Sequence, residues 1–221
     1  MLFFKKSTPD PECLNYEKTK ASGDYKCGDV LERLRNDFAN KCYLCGTKNP
    51  ISLNVEHFRP HKSNIDLKFG WKNLFWACVH CNSTKGDGFV DIIDCTDINQ
   101  NIENRLKLII KPFPKEIPII EALDSESTTI STKKLLDLIY NGSTPLKEIE
   151  SANLRDEILK DIVEFQQYLF EYTKDSNTKE LKLIMLEKIK SHLSKKSSFT
   201  SFKRWIIRDN AGLKFLEEYF D

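Results

Sequence analysis

The sequence contains few residues that break regular structure: only eight glycines and eight prolines occur among 221 residues. This scarcity argues against a disordered chain and against collagen-like repeats. No apolar run approaches the roughly 18–20 residues that a membrane-spanning helix needs. The N-terminal stretch MLFFKKSTPDPE places its lysines after a short apolar patch, whereas a secretory signal has the opposite order and a longer apolar core. We therefore expect a cytoplasmic protein.

The chain as a whole has almost no net charge, because it contains 34 Lys and Arg and 33 Asp and Glu. The distribution is less even than the total. Residues 41–90 hold seven Lys and Arg but only three Asp and Glu. A local excess of this kind weakly favours a polyanionic partner.

The hydrophobic pattern divides the chain into four segments. Residues 1–40 end in an expected helix over 28–40, residues 41–95 are rich in turns, and residues 96–125 form a connector. Residues 126–221 carry apolar side chains three or four positions apart, which predicts helical segments over 153–172, 178–193 and 199–220, the last with a break at residues 210–212. We expect an α+β fold that is mainly helical, with a small metal-bound unit over 41–95 followed by a helical domain.

Four of the seven cysteines occur as two Cys-x-x-Cys pairs, Cys42 with Cys45 and Cys78 with Cys81. Two such turns can place four thiolates around one Zn²⁺ ion, which is a common structural zinc site. We expect all four to bind one zinc. His80 lies inside the second pair, and we expect it to be a packed or surface residue, with a phosphate contact as the alternative.

The remaining cysteines are Cys13, Cys27 and Cys95, and none of them has a metal-binding spacing. In a cytoplasmic chain, cysteines of this kind are usually free thiols. We therefore expect three thiols without a functional role.

The segment between the two cysteine pairs contains VEHFRPH, in which Glu56 and His57 are adjacent. Asn82 follows the second pair directly. A carboxylate and an amide oxygen are ligands that suit Mg²⁺ or Mn²⁺. A neighbouring histidine can take a proton from water at neutral pH. We expect Glu56 and Asn82 to hold a catalytic divalent ion, with His57 as the general base, and we expect Arg59, His61 and Lys85 to contact phosphates of a nucleic acid.

The order EHFRP, WKNLFWAC and CVHCNSTKG resembles the HNH endonuclease motif of the ββα-metal nucleases. The resemblance implies a phosphodiester hydrolase in which Glu56 and Asn82 bind the metal, His57 is the base and Asn73 orients the site. It also implies a ββα fold, and a zinc bound by four cysteines is a common variant of that family.

The longer string EHFRPHK…GWKNLFWAC..CN..KG resembles the PtuB-like HNH nucleases of Septu-type anti-phage systems, which are also found as retron effectors. The sequence departs from that pattern at His61, where lysine is expected, although Lys62 follows. This resemblance implies a partner, an ABC-type ATPase related to PtuA, docked by the helical domain over 126–221. The substrate implied is nucleic acid, either DNA or RNA, including tRNA. The alternative is a zinc module that binds nucleic acid or protein without catalysis.

Overall fold

The computed structural model describes residues 1–112 and 117–221, so part of the expected connector over 96–125 lies outside the described residues. The described residues are 52% helix and 9% strand, which confirms a mainly helical α+β fold. The eight helices in the described parts are α1 (Glu12–Lys18), α2 (Val30–Asp37), α3 (Ile65–Phe69), α4 (Val79–Lys85), α5 (Ser127–Asn141), α6 (Pro145–Thr173), α7 (Lys179–Leu193) and α8 (Thr200–Arg208).

Four short strands pair as two antiparallel hairpins. The strands are β1 (Leu53–His57), β2 (Leu74–Cys78), β3 (Leu106–Ile109) and β4 (Ile119–Ala122). Strand β1 pairs with β2, so that Glu56 lies opposite Phe75 and His57 opposite Leu74. Helix α4 begins at the residue after β2 and packs against both strands of this hairpin. The order β1, β2, α4 is therefore the predicted ββα arrangement.

The helices of the C-terminal half follow the apolar spacing of the sequence. Helix α6 buries Leu154, Ile158, Ile162, Phe165 and Leu169, which are the residues whose spacing predicted it. Thr144 caps this helix by accepting a hydrogen bond from the Lys147 backbone N–H, and Pro145 occupies the first turn, where its missing N–H costs nothing. The break predicted at 210–212 is confirmed, because α8 ends at Arg208 and a 3₁₀ helix follows over Ala211–Tyr219.

Two hydrophobic clusters form the interior. The larger one contains residues from all four segments predicted from the sequence, among them Met1, Phe38, Phe75, Leu108 and Leu136. The smaller one joins the C-terminal half of α6 to α7, α8 and the final 3₁₀ helix. The ββα arrangement is therefore packed into a shared core, and the domain boundaries remain predictions.

Candidate active site

The two cysteine pairs converge on one point. Cys42 and Cys45 lie in the turn after α2, Cys78 ends β2, and Cys81 lies in the first turn of α4. Their four sulfur atoms all lie within 4.8 Å of one another, and the Cys45 and Cys78 sulfurs are 3.9 Å apart. A tetrahedral zinc with Zn–S bonds of ~2.3 Å would separate its sulfurs by roughly 3.8 Å. The four residues therefore fit a structural zinc, as the sequence predicts.

His80 points away from this cluster and fixes α4 to the helical half. Its Nδ1 lies 2.6 Å from Oε2 of Glu150 on α6, and its Nε2 donates to the backbone carbonyl of Ile139 on α5 at 2.8 Å. The expectation of a packed histidine is confirmed. The junction between β2 and α4 is therefore fixed twice. The four-cysteine cluster joins it to residues 42–45, and His80 joins it to α5 and α6.

A cavity of about 620 Å³ opens beside the end of β1. Four residues predicted from the sequence line it: Glu56, His57, His61 and Asn82. These four residues come from three parts of the chain, since Glu56 and His57 lie on β1, His61 in the loop after it, and Asn82 on α4. Helix α4 ends at Gly86, whose φ of +48° favours glycine, and Gly86 also lines the cavity.

Glu56 is a buried carboxylate with one oxygen paired and one free. Its Oε1 lies 2.7 Å from the Nζ of Lys85, and its Oε2 is buried without a hydrogen-bond partner among the described residues. Burial raises the pKa of Glu56 to about 7, and the Lys85 ammonium opposes that rise. An unpaired carboxylate oxygen on a residue that lines the same cavity as Asn82 fits a divalent cation, which would supply the missing partner.

The predicted phosphate contact of Lys85 is wrong for this structure. The side chain of Lys85 is fully buried, since its Nζ pairs with Glu56 and also donates to the backbone carbonyl of His57 at 3.3 Å. The spacing of the sequence places Lys85 one helical turn after Asn82, but it gives no sign that the residue turns inward. Arg59, by contrast, is exposed next to Pro60, which lines the cavity.

His57 is held by its Nε2 atom. This nitrogen donates to the backbone carbonyl of Lys68 at 3.0 Å, because a carbonyl oxygen can only accept. Nδ1 therefore carries the free lone pair of the neutral ring. Partial burial lowers the pKa of His57 below its ordinary value of 6.5, so the ring is neutral at pH 7. The ring of His61 meets that of His57 edge-on, with centroids 4.7 Å apart.

Asn73 does not line the cavity but fastens the loop that follows β1. Its Nδ2 donates to the carbonyls of Arg59 and Leu67, each at 2.9 Å, and its Oδ1 accepts from the Arg59 backbone N–H at 2.8 Å. The two ends of the loop between β1 and α3 are thereby held on one side chain. This geometry fits the orienting role that the resemblance implies.

Among the lining residues that the sequence did not single out, two bear on the chemistry of the site, Asp87 and Tyr25. Asp87 follows α4 and is exposed in the cavity wall, and its place two residues after Lys85 was the only available signal. Tyr25 comes from the N-terminal segment, and its ring meets the His57 ring edge-on with centroids 4.6 Å apart. Nothing in the local sequence around Tyr25 indicates this contact.

The N-terminal cysteines also differ from the prediction. Cys13 and Cys27 are not free thiols, because they form a disulfide with Cα atoms 6.0 Å apart. Their pairing depends on how the segment between α1 and α2 folds back, which spacing does not reveal. Cys95 is a buried free thiol, as expected.

Comparison with known protein families covers the part of the chain that forms this site. Residues 42–88 match the HNH endonuclease family. The HNH unit thus contains both cysteine pairs, the β1–β2 hairpin and α4, and it supports a metal-dependent nuclease of the HNH type. No curated protein matches the chain. Within residues 1–112 and 117–221, no helix has the length and apolar character needed to cross a bilayer.

Proposed function

We propose that this protein is an endonuclease that hydrolyses phosphodiester bonds of DNA or RNA in the cavity beside β1. The observation that carries the proposal is the convergence of Glu56, His57 and Asn82 on one cavity inside the segment that matches the HNH family. A zinc module that only binds would need the four cysteines but not an acid, a neutral histidine and an amide around one opening.

His57 is the general base in this proposal. Its Nε2–H is fixed by the Lys68 carbonyl, so its Nδ1 can take the proton of an attacking water. The lowered pKa of the ring keeps the base unprotonated at neutral pH. Asn73 keeps the base in place, because it joins Arg59, in the loop after β1, to Leu67 of α3.

Glu56 and Asn82 are the proposed ligands of a divalent ion, Mg²⁺ or Mn²⁺. When bound, the ion would neutralise charge on the reacting phosphate and on the leaving oxygen. The Lys85 ammonium keeps the Glu56 carboxylate oriented, and the free Oε2 of Glu56 remains available as a ligand atom. Arg59 and His61 are the proposed contacts to flanking phosphates.

The second basic region of the sequence, SHLSKKSSFTSFKR, contributes less than its composition indicates. Lys203 is buried against Asp161 at 2.8 Å, and Arg204 is buried between Glu103 and Asp221. Lys196 is exposed. The proposed nucleic-acid surface therefore lies around the cavity rather than over residues 191–204.

The test is a cleavage assay with plasmid DNA and total RNA, with Mg²⁺ or Mn²⁺ and with EDTA. Wild type should cut one of the polymers, and EDTA or His57→Ala should abolish cutting. His57→Ala should keep the zinc and the fold, because His57 is not part of either Cys-x-x-Cys pair. Equal cutting by both proteins would contradict the assignment of the base, and binding without any cutting would favour the zinc module.

We further propose, from the resemblance to PtuB-like nucleases, that the protein is the nuclease of a Septu-like anti-phage system and docks on an ABC-type ATPase. Four large apolar side chains of α6 are exposed, and their spacing places them on one side of the helix: Leu146, Ile149, Val163 and Phe170. Co-expression with a PtuA-like ABC-type ATPase should give a stable complex that Ile149→Lys with Phe170→Lys disrupts. Toxicity of the chain alone that the ATPase does not reduce would contradict restraint by this partner.

A further inference from the structure

The segment from Cys13 to Cys27 is a loop closed by a covalent bond. It begins inside α1, runs through exposed residues 20–22 and returns to Cys27 just before α2. The return half is held by the disulfide and by packing, since Gly23 is buried and both Tyr25 and Cys27 pack against the larger hydrophobic cluster. Among the described hydrogen bonds, the Asp24 N–H donates to Glu17 and the Lys26 N–H donates to Asp24, both within the loop.

This loop reaches the candidate active site through two contacts. The ring of Tyr25 meets the ring of His57 edge-on at 4.6 Å and lines the cavity. The carbonyl of Gly23 accepts a hydrogen bond from the Nζ of Lys68 at 3.2 Å. Lys68 is also the residue whose carbonyl accepts from Nε2 of His57. The loop therefore contacts both the ring of His57 and the residue that fixes its tautomer.

A further contact joins the start of the loop to the same region. Lys18 at the end of α1 forms an ion pair with Asp66 on α3, and α1 packs against α3. Helix α3 also contains Lys68. The loop and the support of His57 thus share one surface, although they lie some forty residues apart in the sequence.

We propose that Tyr25 is a positioning residue for His57 and that the Cys13–Cys27 disulfide holds Tyr25 there, so that reduction of this bond loosens the catalytic base. The inference rests on the proposed function. Disulfides in reducing compartments are rare and are usually transient or redox-sensing, which gives this bond a reason to exist on a nuclease that must be controlled. Both cysteines are partly exposed, so a small reductant can reach them.

The redox step is a two-electron exchange. Attack on one sulfur breaks the Cys13–Cys27 bond, and the two cysteines leave as thiols after taking up two protons. A dithiol reductant is oxidised to its own disulfide and supplies both electrons. A water-soluble phosphine does the same and becomes a phosphine oxide, with the oxygen drawn from water.

The first experiment compares oxidised and phosphine-reduced wild type, after zinc analysis has shown that both retain one zinc per chain. Hydrogen exchange of backbone amides should become faster over residues 13–27 and 57–69 on reduction, and stay unchanged over α6. The kcat for nucleic-acid cleavage should fall at least about fivefold while KM changes less, because the base and not the phosphate contacts is disturbed.

Two sets of variants make the comparison specific. Cys13→Ser with Cys27→Ser should resemble the reduced protein and should not respond to the phosphine. Tyr25→Ala should lower kcat in the oxidised protein, Tyr25→Phe should restore it because the ring edge is kept, and Tyr16→Ala should have no effect. Tyr16 lies in the same loop but is exposed, with Lys20 over its ring.

Equal exchange over 57–69 in the two redox states would overturn the inference, and so would a Tyr25→Ala variant with the kcat of wild type. Alkylation of Cys13 and Cys27 in the native protein without reductant would show that the bond is absent and would overturn the inference as well. Absence of cleavage by oxidised wild type would contradict the proposed nuclease, whereas the exchange experiment tests the contact of the loop with His57 independently.

Discussion

The Nζ of Lys85 lies 2.7 Å from Oε1 of Glu56, and both side chains are almost fully enclosed. The pair joins α4 to the last residues of β1, since Lys85 also donates to the carbonyl of His57. Lys85 therefore holds in register the residues proposed to bind metal and to act as base. Its charge also balances a carboxylate that burial alone would drive towards the protonated form.

Loss of Lys85 should destabilise the fold. Lys85→Ala leaves the Glu56 carboxyl buried without its partner, and removal of one member of a buried ion pair costs about 3–5 kcal/mol. Urea denaturation should show a fall of this order in the free energy of unfolding. Lys72→Ala, which removes an exposed lysine, should stay within about 0.5 kcal/mol of wild type. A loss for Lys85→Ala no larger than for Lys72→Ala would contradict the buried pair.

The affinity for the catalytic ion should depend on pH near neutrality. The pKa of Glu56 is raised to about 7 in the folded protein, so a proton competes with the ion below that pH. We expect the affinity for Mn²⁺ to fall by about tenfold for each pH unit below 7 and to level off above it. Calorimetric titration at several pH values measures this. An affinity that does not change with pH, or that Glu56→Gln leaves intact, would contradict the role of Glu56.

In the protein without the divalent ion, the raised pKa of Glu56 also determines how this residue's contribution to the free energy of unfolding changes with pH. The folded carboxyl binds its proton more tightly than the unfolded one, whose pKa is near 4.5. Its contribution is therefore fully present below pH 4.5 and is lost as the pH rises towards 7. Glu56→Gln should remove this part of the pH dependence in denaturation experiments on the metal-free site. An equal pH dependence of stability in wild type and Glu56→Gln would contradict the raised pKa of Glu56.

Removal of the structural zinc should unfold the ββα arrangement. Binding of Zn²⁺ to four thiolates contributes roughly 10–16 kcal/mol in zinc-finger peptides. Cys81→Ser should lower the zinc content and the thermal stability, because Cys81 fixes the start of α4. Cys95→Ser is the matched control, since Cys95 is buried but lies outside the cluster. Equal zinc content in Cys81→Ser and wild type, by elemental analysis, would exclude the four-cysteine site.

Asn73 should matter for both stability and rate. Asn73→Ala removes three hydrogen bonds and leaves the Arg59 N–H and two carbonyls without that partner. We expect a loss of about 2–3 kcal/mol in the free energy of unfolding, together with a lower kcat, because the loop next to His57 is released. Asn153→Ala on the exposed side of α6 should change neither. Wild-type kcat in Asn73→Ala would show that this loop does not position the base.

The residues predicted from the sequence were those whose chemistry is tied to spacing. Two Cys-x-x-Cys turns indicate four zinc ligands wherever they fold. The apolar period predicted α7 closely and α6 over 153–172, although α6 begins eight residues earlier, at Pro145. The inward turn of Lys85 was not predictable, because a lysine after a Cys-x-x-Cys pair is usually exposed and its partner Glu56 lies 29 positions away. Tyr25 and the Cys13–Cys27 bond were missed for the same reason: both depend on how α1 folds back over α3, which no local pattern records.

The most direct test of the account is chemical rescue of His57→Gly by imidazole. The variant leaves a space where the ring stood, and imidazole of similar size and basicity can take the proton of water from that space. We predict that imidazole restores cleavage to His57→Gly in a metal-dependent way, with little effect on wild type and none on Asn82→Ala. Cleavage by His57→Gly at the wild-type rate without imidazole, or rescue of Asn82→Ala to the same extent, would contradict His57 as the base.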